Sequence, residues 1–323
     1  MANNSSYEYE VASYNKISQA YEAKGKYDDA IEYYYKAMAI CESKLGKDHP
    51  STAMTYNNIA GAYCAKGDYD NALDYYKKVL SIRENQRNGD LLSAATTYYN
   101  IAGVYQAKGN YEKALDSYFK ALAISEIEHG HEHSDTATYY NNIGLVYRKQ
   151  GDYDKALEYY NKALLIREKL LGPQHPDTAT SYNNIGVIYY IKGDYDKALG
   201  YFNKALLIRE KLLSPQHPDT ASCYNNIGVL YSKKGDYDRA LEYYYKDLAI
   251  CEKTLGLEHL DTATSYNNIG WVYRKQGNYA KALDFYSKAY VIRKNKLGED
   301  HPDTKDVLMS INIVKKAMES TDK

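Results

Sequence analysis

Phenylalanine and tryptophan are scarce in this sequence of 323 residues, which contains three Phe and one Trp against 40 Tyr. Tyrosine therefore has to fill most of the aromatic packing positions. A tyrosine ring buries nearly as much apolar surface as a phenylalanine ring, but its hydroxyl needs water or a hydrogen-bond partner. This composition suits a thin fold in which no side chain lies far from the surface.

Cysteine, net charge and long apolar runs are also limited. The four cysteines show no paired spacing, which predicts free thiols in a reducing compartment and hence a cytoplasmic protein. The formal net charge of −1 argues against nucleic acid as the main partner. No apolar run is long enough to cross a bilayer, and the first residues do not resemble a signal peptide. We therefore expect no membrane insertion.

Motifs of catalysis are missing as well. The sequence has no phosphate-binding loop, no GxSxG nucleophile elbow and no HExxH zinc-binding helix. The histidines His129, His131 and His133 offer three potential metal ligands, but no cysteine or carboxylate accompanies them at a fixed spacing. We expect a solvated loop there rather than a metal site. The sequence thus predicts a protein that is not an enzyme and that has no cofactor and no bound metal.

A 42-residue repeat dominates the sequence. Its marker is a tyrosine that recurs at this interval without insertion or deletion, at Tyr14, Tyr56, Tyr98, Tyr140, Tyr182, Tyr224 and Tyr266. A repeat of this period indicates a solenoid of stacked supersecondary units. We expect a flexible N-terminus over residues 1–10, repeats over 11–52, 53–94, 95–136, 137–178, 179–220, 221–262 and 263–302, a capping helix over 303–319 and a tail over 320–323.

Local signals in the fifth repeat predict how each unit folds. Pro and Asp in the linker favour the first turn of a helix, which we call helix A. Gly193 is placed to end helix A in a left-handed conformation, and Asp194 is placed to cap the following helix B. Helix B carries apolar residues at 3- and 4-residue spacing from Tyr195 to near Leu213. Each unit is therefore predicted to be a helical hairpin, and the linker histidine, which recurs with the repeat, is predicted to be structural.

These residues resemble the tetratricopeptide repeat family. The family's motif positions 4, 7, 8, 11, 20, 24 and 27 fall on Tyr182, Ile185, Gly186, Tyr189, Ala198, Phe202 and Ala205. The likeness recurs seven times over roughly nine-tenths of the chain. The unit is longer than the family's usual 34 residues, and in its long helix B it is most similar to kinesin-light-chain and nephrocystin-type repeats. The resemblance implies an all-α, right-handed superhelical solenoid of seven helix-turn-helix repeats plus a C-terminal capping helix.

The sequence departs from the family's pattern at a few positions. Position 8 is Ser18, Ala60 and Ala102 in the first three repeats, and the second linker reads Asn88-Gly89-Asp90-Leu91 without a His-Pro pair. At position 27, where Ala belongs, the sixth repeat has Asp247. A buried, unpaired carboxylate costs several kcal/mol. We therefore expect Asp247 either to be paired or to loosen its interface.

The resemblance implies that helix A lines a concave inner face that holds a ligand. Positions 5 and 6 of this helix are mostly asparagine, although asparagine in mid-helix is unfavourable by about half a kcal/mol. Because an amide can bind the backbone of an extended peptide, we assign these residues to a peptide-binding groove: Asn57, Asn58, Asn100, Asn141, Asn142, Asn183, Asn184, Asn225, Asn226, Asn267 and Asn268. In the alternative, position 6 bridges neighbouring repeats and position 5 alone faces the ligand.

Positions 9, 12 and 13 of helix A extend this groove. Toward the C-terminus position 9 becomes apolar and positions 12 and 13 become basic, which adds Leu145, Val187, Val229, Trp271, Arg148, Lys149, Lys233, Arg274 and Lys275 to the groove. A tryptophan suits the wall of an anchor pocket, and its alternative role is packing against the capping helix. The basic residues predict a preference for acidic peptides, with a solvated charged face as the alternative.

Together these features predict a non-enzymatic scaffold that binds an extended segment of a partner protein. One alternative is a motor cargo adaptor like a kinesin light chain, although the repeats begin by residue 11 and no N-terminal heptad segment precedes them. A second is a regulator whose superhelix closes on a peptide or effector. A third is an enzyme at the His129 cluster, which metal analysis would dismiss.

Overall fold

The structure, a computed structural model, describes residues 4–84, 91–213 and 216–321. Within these residues it contains fifteen helices and no strand: α1 (Asn4–Glu22), α2 (Tyr27–Leu45), α3 (Pro50–Lys66), α4 (Tyr69–Glu84), α5 (Leu91–Ala107), α6 (Tyr111–His129), α7 (Ser134–Gln150), α8 (Tyr153–Leu171), α9 (Pro176–Ile191), α10 (Tyr195–Leu212), α11 (Pro218–Lys234), α12 (Tyr237–Thr254), α13 (Leu260–Lys275), α14 (Tyr279–Leu297) and α15 (Pro302–Thr321). None of them is long and apolar enough to cross a membrane.

The helices form two compact units, Met1–Ile166 and Arg167–Lys323. In the first unit, α1 pairs with α2, α3 with α4 and α5 with α6, and each pair packs on the next through its second helix. The fourth pair is α7 with α8, where Gly144 lies against the ring of Tyr160. In the second unit the pairs are α9 with α10, α11 with α12 and α13 with α14, and α15 packs against α14. The predicted fold is confirmed: the protein is an all-α solenoid of seven antiparallel helix pairs with a final capping helix.

The two ends of the chain differ from the expectation. Composition predicts a flexible segment over residues 1–10, whereas α1 begins at Asn4. Tyr7 and Val11, one helical turn apart, line the same cavity beside Met54 of α3, so the first helix gains packing by starting early. At the other end α15 runs to Thr321. Residues 1–3 and 322–323 lie outside the described residues, as does the Asn88-Gly89-Asp90 departure.

The predicted hairpin turn is confirmed in the fifth repeat. Helix α9 ends at Ile191, and Gly193 adopts a φ of +82° in the left-handed region. The Asp194 side chain then caps α10 by accepting a hydrogen bond from the backbone N–H of Lys197 at 3.2 Å. The linker histidine is structural as predicted, because its Nδ1 caps helix A by accepting from the backbone N–H two residues ahead, as His217 does from Asp219 at 3.1 Å.

Hydrogen bonds between consecutive repeats explain why position 4 is tyrosine and not phenylalanine. The position 4 tyrosine hydroxyl donates to a glutamate of the preceding helix B, over 2.6 Å from Tyr56 to Glu42 and 2.7 Å from Tyr140 to Glu126. The same bond links Tyr98 to Glu84, Tyr182 to Glu168, Tyr224 to Glu210 and Tyr266 to Glu252. Burial, followed by the bond to Glu84, raises the pKa of Tyr98 to about 12, so this hydroxyl stays a donor.

Close packing of helix A on helix B depends on glycine at position 8. A Cβ atom built on Gly186 would lie 2.7 Å from Cδ1 of Phe202, which is almost completely buried. We expect Gly186→Val to lower the free energy of unfolding by about 1–3 kcal/mol, because added bulk in a packed core forces neighbours apart. The measurement is the urea midpoint of the whole chain.

Gly103 provides the matched control for this prediction. It lies in the middle of α5, and a Cβ built there has no neighbour within 4 Å. Gly103→Ala should therefore raise stability by about 0.5–1 kcal/mol through the helix propensity of alanine. The packing account is wrong if both variants shift the midpoint in the same direction.

Candidate functional site

The predicted groove residues lie on helix A of successive repeats, and all eleven asparagines are half-buried. We call the run of positions 5, 6 and 9 on α9, α11 and α13 the amide stripe of the second unit. It comprises Asn183, Asn184, Val187, Asn225, Asn226, Val229, Asn267, Asn268 and Trp271. The first unit carries the corresponding positions on α3, α5 and α7, with Asn57, Asn58, Asn100, Asn141, Asn142 and Leu145.

Side-chain amides bridge neighbouring repeats in the second unit. Asn226 Nδ2 donates to Asn183 Oδ1 at 2.9 Å, and Asn268 Nδ2 donates to Asn225 Oδ1 at 2.9 Å. Position 6 of one repeat thus binds position 5 of the repeat before it, which is the bridging alternative raised by the sequence. The Nδ2 groups of Asn183 and Asn225 make no further hydrogen bond among the described residues. They keep two N–H donors each.

Among the described residues of the first unit no such bridge forms: Asn15 Oδ1 is buried without a hydrogen-bond partner although Asn58 follows in the next repeat, and position 5 of the third repeat is Tyr99 instead of asparagine. Its ring centroid lies 5.7 Å from that of Tyr118 and 5.8 Å from that of Tyr139, so it packs in an aromatic cluster. Asn142, which would have bonded to an asparagine there, donates to the backbone carbonyl of Thr138 at 2.9 Å. Tyr99 thus removes the acceptor of one bridge, but the unpaired Asn15 Oδ1 shows that two asparagines do not by themselves ensure it.

The apolar residues of position 9 are half-buried, and only Trp271 among them has an aromatic partner. Its ring lies edge-on to Tyr237 at the start of α12, with centroids 6.3 Å apart, and Lys275 Nζ lies 5.3 Å from the ring centroid. The Trp271 side chain therefore packs from α13 against the start of α12. Position 9 is open at Gly61 and Gly103, where a Cβ would meet no atom within 4 Å.

The basic residues fall into two groups. Lys149, Lys233 and Lys275 are exposed and available to a ligand. Arg148 and Arg274 are half-buried, and each has a buried Nε without a hydrogen-bond partner among the described residues. These guanidinium groups lie beside buried tyrosines of helix B. Burial raises the pKa of Tyr160 to about 12, although the nearby charge of Arg148 lowers it. Burial also raises the pKa of Tyr286, and the charge of Arg274 lowers it in the same way.

The histidine cluster has a carboxylate partner that the spacing did not reveal. Ligand atoms of His129, His133 and Asp135 lie within 4.8 Å of one another, while His131 Nδ1 lies 3.2 Å from Glu126. His133 Nδ1 also accepts the backbone N–H of Asp135 at 3.2 Å and so caps α7. The cap leaves His133 one further nitrogen for any ligand.

Asp247 is both paired and placed beside a cavity. Its side chain is 4% exposed, Oδ2 accepts from Ser265 Oγ at 2.6 Å, and Oδ1 accepts from Cys251 Sγ at 3.6 Å. Burial raises the pKa of Asp247 to about 6, although both hydrogen bonds oppose the shift. A cavity of about 280 Å³ lies against this carboxylate. Of the two outcomes expected for Asp247, the structure shows pairing through hydrogen bonds.

Comparisons with known proteins agree with this architecture. A family profile described as tetratricopeptide repeat matches residues 9–85, 93–164, 135–206, 181–252 and 233–295. No curated protein sequence matches the chain. Among solved structures, BtubC (BKLC) from P. vanneervenii is 24% identical, with a TM-score of 0.60 over 78% of this chain and 93% of that one.

Two further structures are similar in fold. A putative kinesin light chain of Podospora anserina with nearly identical repeats is 23% identical, with a TM-score of 0.55 over 62% of this chain and 95% of that one. A repeat protein from Parabacteroides merdae is 20% identical, with a TM-score of 0.63 over 95% of this chain and 99% of that one. Identities this low establish the fold alone.

Proposed function

Because the chain belongs to the tetratricopeptide repeat family, whose members generally act as non-catalytic protein-interaction scaffolds, we propose that the amide stripe of the second unit binds an extended peptide segment of a partner protein in the cytoplasm. The observation that carries this proposal is the pair of bridges from Asn226 to Asn183 and from Asn268 to Asn225. They hold the position 5 amides in fixed orientations and leave their N–H donors unused.

Fixed amide donors suit the backbone of a peptide. In an extended chain every second carbonyl points to the same side, and an amide side chain can bind it without reading the peptide's sequence. Because the bridges already orient Asn183 and Asn225, binding does not have to order these side chains, which lowers its entropic cost. Specificity would then come from residues beside the amides.

Those residues are the apolar members of the stripe and the lysines beside it. Val187, Val229 and Trp271 are half-buried and offer surface for apolar anchors of the peptide. Lys233 and Lys275 are exposed on the same helices and favour an acidic segment. Arg148 and Arg274 contribute less in this proposal, because their guanidinium groups lie beside Tyr160 and Tyr286.

The cargo-adaptor alternative receives support at the level of fold. The chain is structurally similar to BtubC (BKLC) and to the putative kinesin light chain of Podospora anserina. A motor cargo adaptor would use the same stripe for its cargo peptide, so this alternative differs in the partner and not in the site. The effector-responsive regulator would show contraction in solution scattering when peptide is added.

The test is a peptide selected from a random library on the immobilised wild-type chain. Asn183→Ala combined with Asn225→Ala should weaken its binding by about 5- to 150-fold, because each of the two lost backbone hydrogen bonds costs about 0.5–1.5 kcal/mol. Helical circular dichroism should be unchanged. The measurement is the dissociation constant by titration calorimetry.

Two controls separate direct contact from an indirect effect. Asn203→Ala removes an exposed asparagine from helix B of the same unit and should leave the affinity unchanged. Asn226→Ala breaks one bridge but keeps Asn183, so its loss of affinity should be smaller than that of the double variant. Full affinity in the folded double variant would rule out the amide stripe as the binding site.

A further inference from the structure

Four repeats have an arginine at the same position of helix B, and its side chain binds groups at the start of the next helix. Arg209, only 5% exposed, donates through Nη1 to the carbonyl of Asp219 at 2.8 Å and to Cys223 Sγ at 3.2 Å. Its Nη2 donates to Thr180 Oγ1 at 3.4 Å. Equivalent bonds are made by Arg83, Arg167 and Arg293. The stacking of these repeats therefore includes a guanidinium site whose constant acceptor is the backbone carbonyl ten residues after the arginine, joined by one or two side-chain acceptors that vary.

The sixth repeat keeps the acceptors but lacks the arginine. The residue 42 positions after Arg209 is Cys251, and the three partners of Arg209 correspond to Ser222, Asp261 and Ser265. All four residues line the cavity of about 280 Å³ between α11, α12 and α13. The space that an arginine side chain fills between other repeats is thus open here.

The sixth repeat also adds a carboxylate to this space. Asp247 lines the cavity, where other repeats have Ala at the equivalent position, or Val in the second repeat. It forms no ion pair among the described residues, where its hydrogen-bond partners are the hydroxyl of Ser265 and the thiol of Cys251. Asp219 and Asp261 also line the cavity, and none of its lining residues is basic. A buried carboxylate of this kind is costly unless a cation joins it.

Two other repeats without the arginine serve as natural controls. In the first repeat, Cys41 also leaves a cavity, of about 490 Å³, but Val11, Leu45 and Met54 line it and no buried carboxylate does. In the third repeat the residue is Ser125, and the large ring of Tyr139 stands at the position of Cys223. Loss of the arginine therefore does not by itself produce an anionic cavity, and the added carboxylate is particular to the sixth repeat.

We propose that the cavity bounded by Asp247, Cys251, Asp261, Ser265 and Ser222 binds a guanidinium group supplied by an arginine side chain of a partner polypeptide. A guanidinium is planar and carries five N–H donors, which matches a carboxylate, a backbone carbonyl and two hydroxyls better than a compact ammonium does. The equivalent backbone carbonyl already accepts from the guanidinium groups of Arg167, Arg209 and Arg293.

The surroundings favour arginine within a polypeptide over free arginine. The exposed carboxylates of Asp219 and Asp261 would repel the α-carboxylate of a free amino acid. Asn225 and Asn226 of the amide stripe line the same cavity, so a peptide on the stripe passes its opening. The inference rests on the proposed function only for this source of the guanidinium group, and the cavity can be tested without any peptide.

Binding should also depend on pH. Burial raises the pKa of Asp247 to about 6, and the groups that face it are Cys251 on its own helix α12, Asp261 on α13 and Asp219 on α11. Since only the ionised carboxylate attracts a cation, the affinity should fall by up to tenfold for each pH unit below about 6. Asp247→Asn should remove this dependence.

The probe is N-acetyl-L-arginine amide, titrated into the whole chain and followed by NMR chemical shifts. The wild type should bind it saturably, and Asp247→Asn should weaken binding at least tenfold while leaving the circular dichroism unchanged. Cys251→Arg, which places the chain's own guanidinium in the cavity, should abolish binding. Cys41→Arg fills the cavity of the first repeat and should have no effect.

Several outcomes would overturn the inference. Absence of binding by the wild type, or equal binding by Asp247→Asn, would rule out a guanidinium site in this cavity. Tighter binding of N-acetyl-L-lysine amide would show that the cavity prefers an ammonium to a guanidinium group. Tighter binding of free L-arginine would show that the ligand is the free amino acid and not an arginine of a polypeptide. Asn203 is exposed on helix B and does not line the cavity, so Asn203→Ala should bind the probe normally. Probe binding without any peptide binding would contradict the proposed function and leave the cavity intact.

Discussion

Asp247→Ala is expected to stabilise the second unit by up to about 3 kcal/mol near pH 7.5. The ordinary pKa of the carboxyl is 3.8, and in the folded protein burial raises it to about 6. Each unit of difference corresponds to about 1.36 kcal/mol, so two units mean that the ionised carboxylate destabilises the fold by roughly 3 kcal/mol. Alanine is the residue at this position in most other repeats and fits the same backbone.

The pH dependence identifies the cause of this effect. Below about pH 4 the carboxyl is protonated in the folded and unfolded chains, and it adds no penalty. Between about pH 4 and 6 the unfolded chain ionises first, so the penalty grows, and above about pH 6 it stays constant. Urea denaturation of wild type and Asp247→Ala should therefore give curves that converge toward pH 4.

Glu242 provides the control, because it is an exposed helix B carboxylate that forms an ion pair with Lys246 at 2.7 Å. Glu242→Ala should change stability by less than about 0.5 kcal/mol at every pH. A stabilisation by Asp247→Ala that is equal at pH 4 and 7.5 would show that side-chain volume, and not charge, is responsible.

The fold was largely predictable because its information is local and repeated. The 42-residue period, the Gly193-Asp194 turn and the glycine opposite Phe202 follow from spacing within one hairpin. The start of α1 was not predicted, because residues 1–10 are polar on average. The signal was Tyr7, one turn before Val11, which a composition-based argument overlooks.

The site was less predictable because it depends on contacts between repeats. The sequence shows that positions 5 and 6 are asparagine, but the bridge from Asn226 to Asn183 depends on how neighbouring helices are offset. The cavity could have been found from the sequence by comparing equivalent positions. The loss of arginine at Cys251 and the gain of Asp247 are one turn apart on the same helix. Asp247 considered alone indicates only that a buried carboxylate destabilises the fold.

Cys251→Arg is expected to stabilise the second unit by about 3 kcal/mol near pH 7.5, through the same carboxylate. The new guanidinium would meet Ser222, Ser265 and the carbonyl of Asp261, the counterparts of the groups that Arg209 binds. It would also lie beside Asp247, one helical turn away, and lower the pKa of that carboxyl toward or below its ordinary value. The penalty of the buried charge would then be removed.

A double-mutant cycle tests whether this stabilisation comes from the pair. In wild type, Asp247→Ala should be stabilising, whereas in the Cys251→Arg chain the same change should be neutral or destabilising, because it removes the partner of the new arginine. The coupling free energy should exceed about 2 kcal/mol. Cys41→Arg, in a cavity lined by Val11, Leu45 and Met54, should give no such gain. Additive effects at 247 and 251 would mean that the carboxylate and the open arginine site act independently.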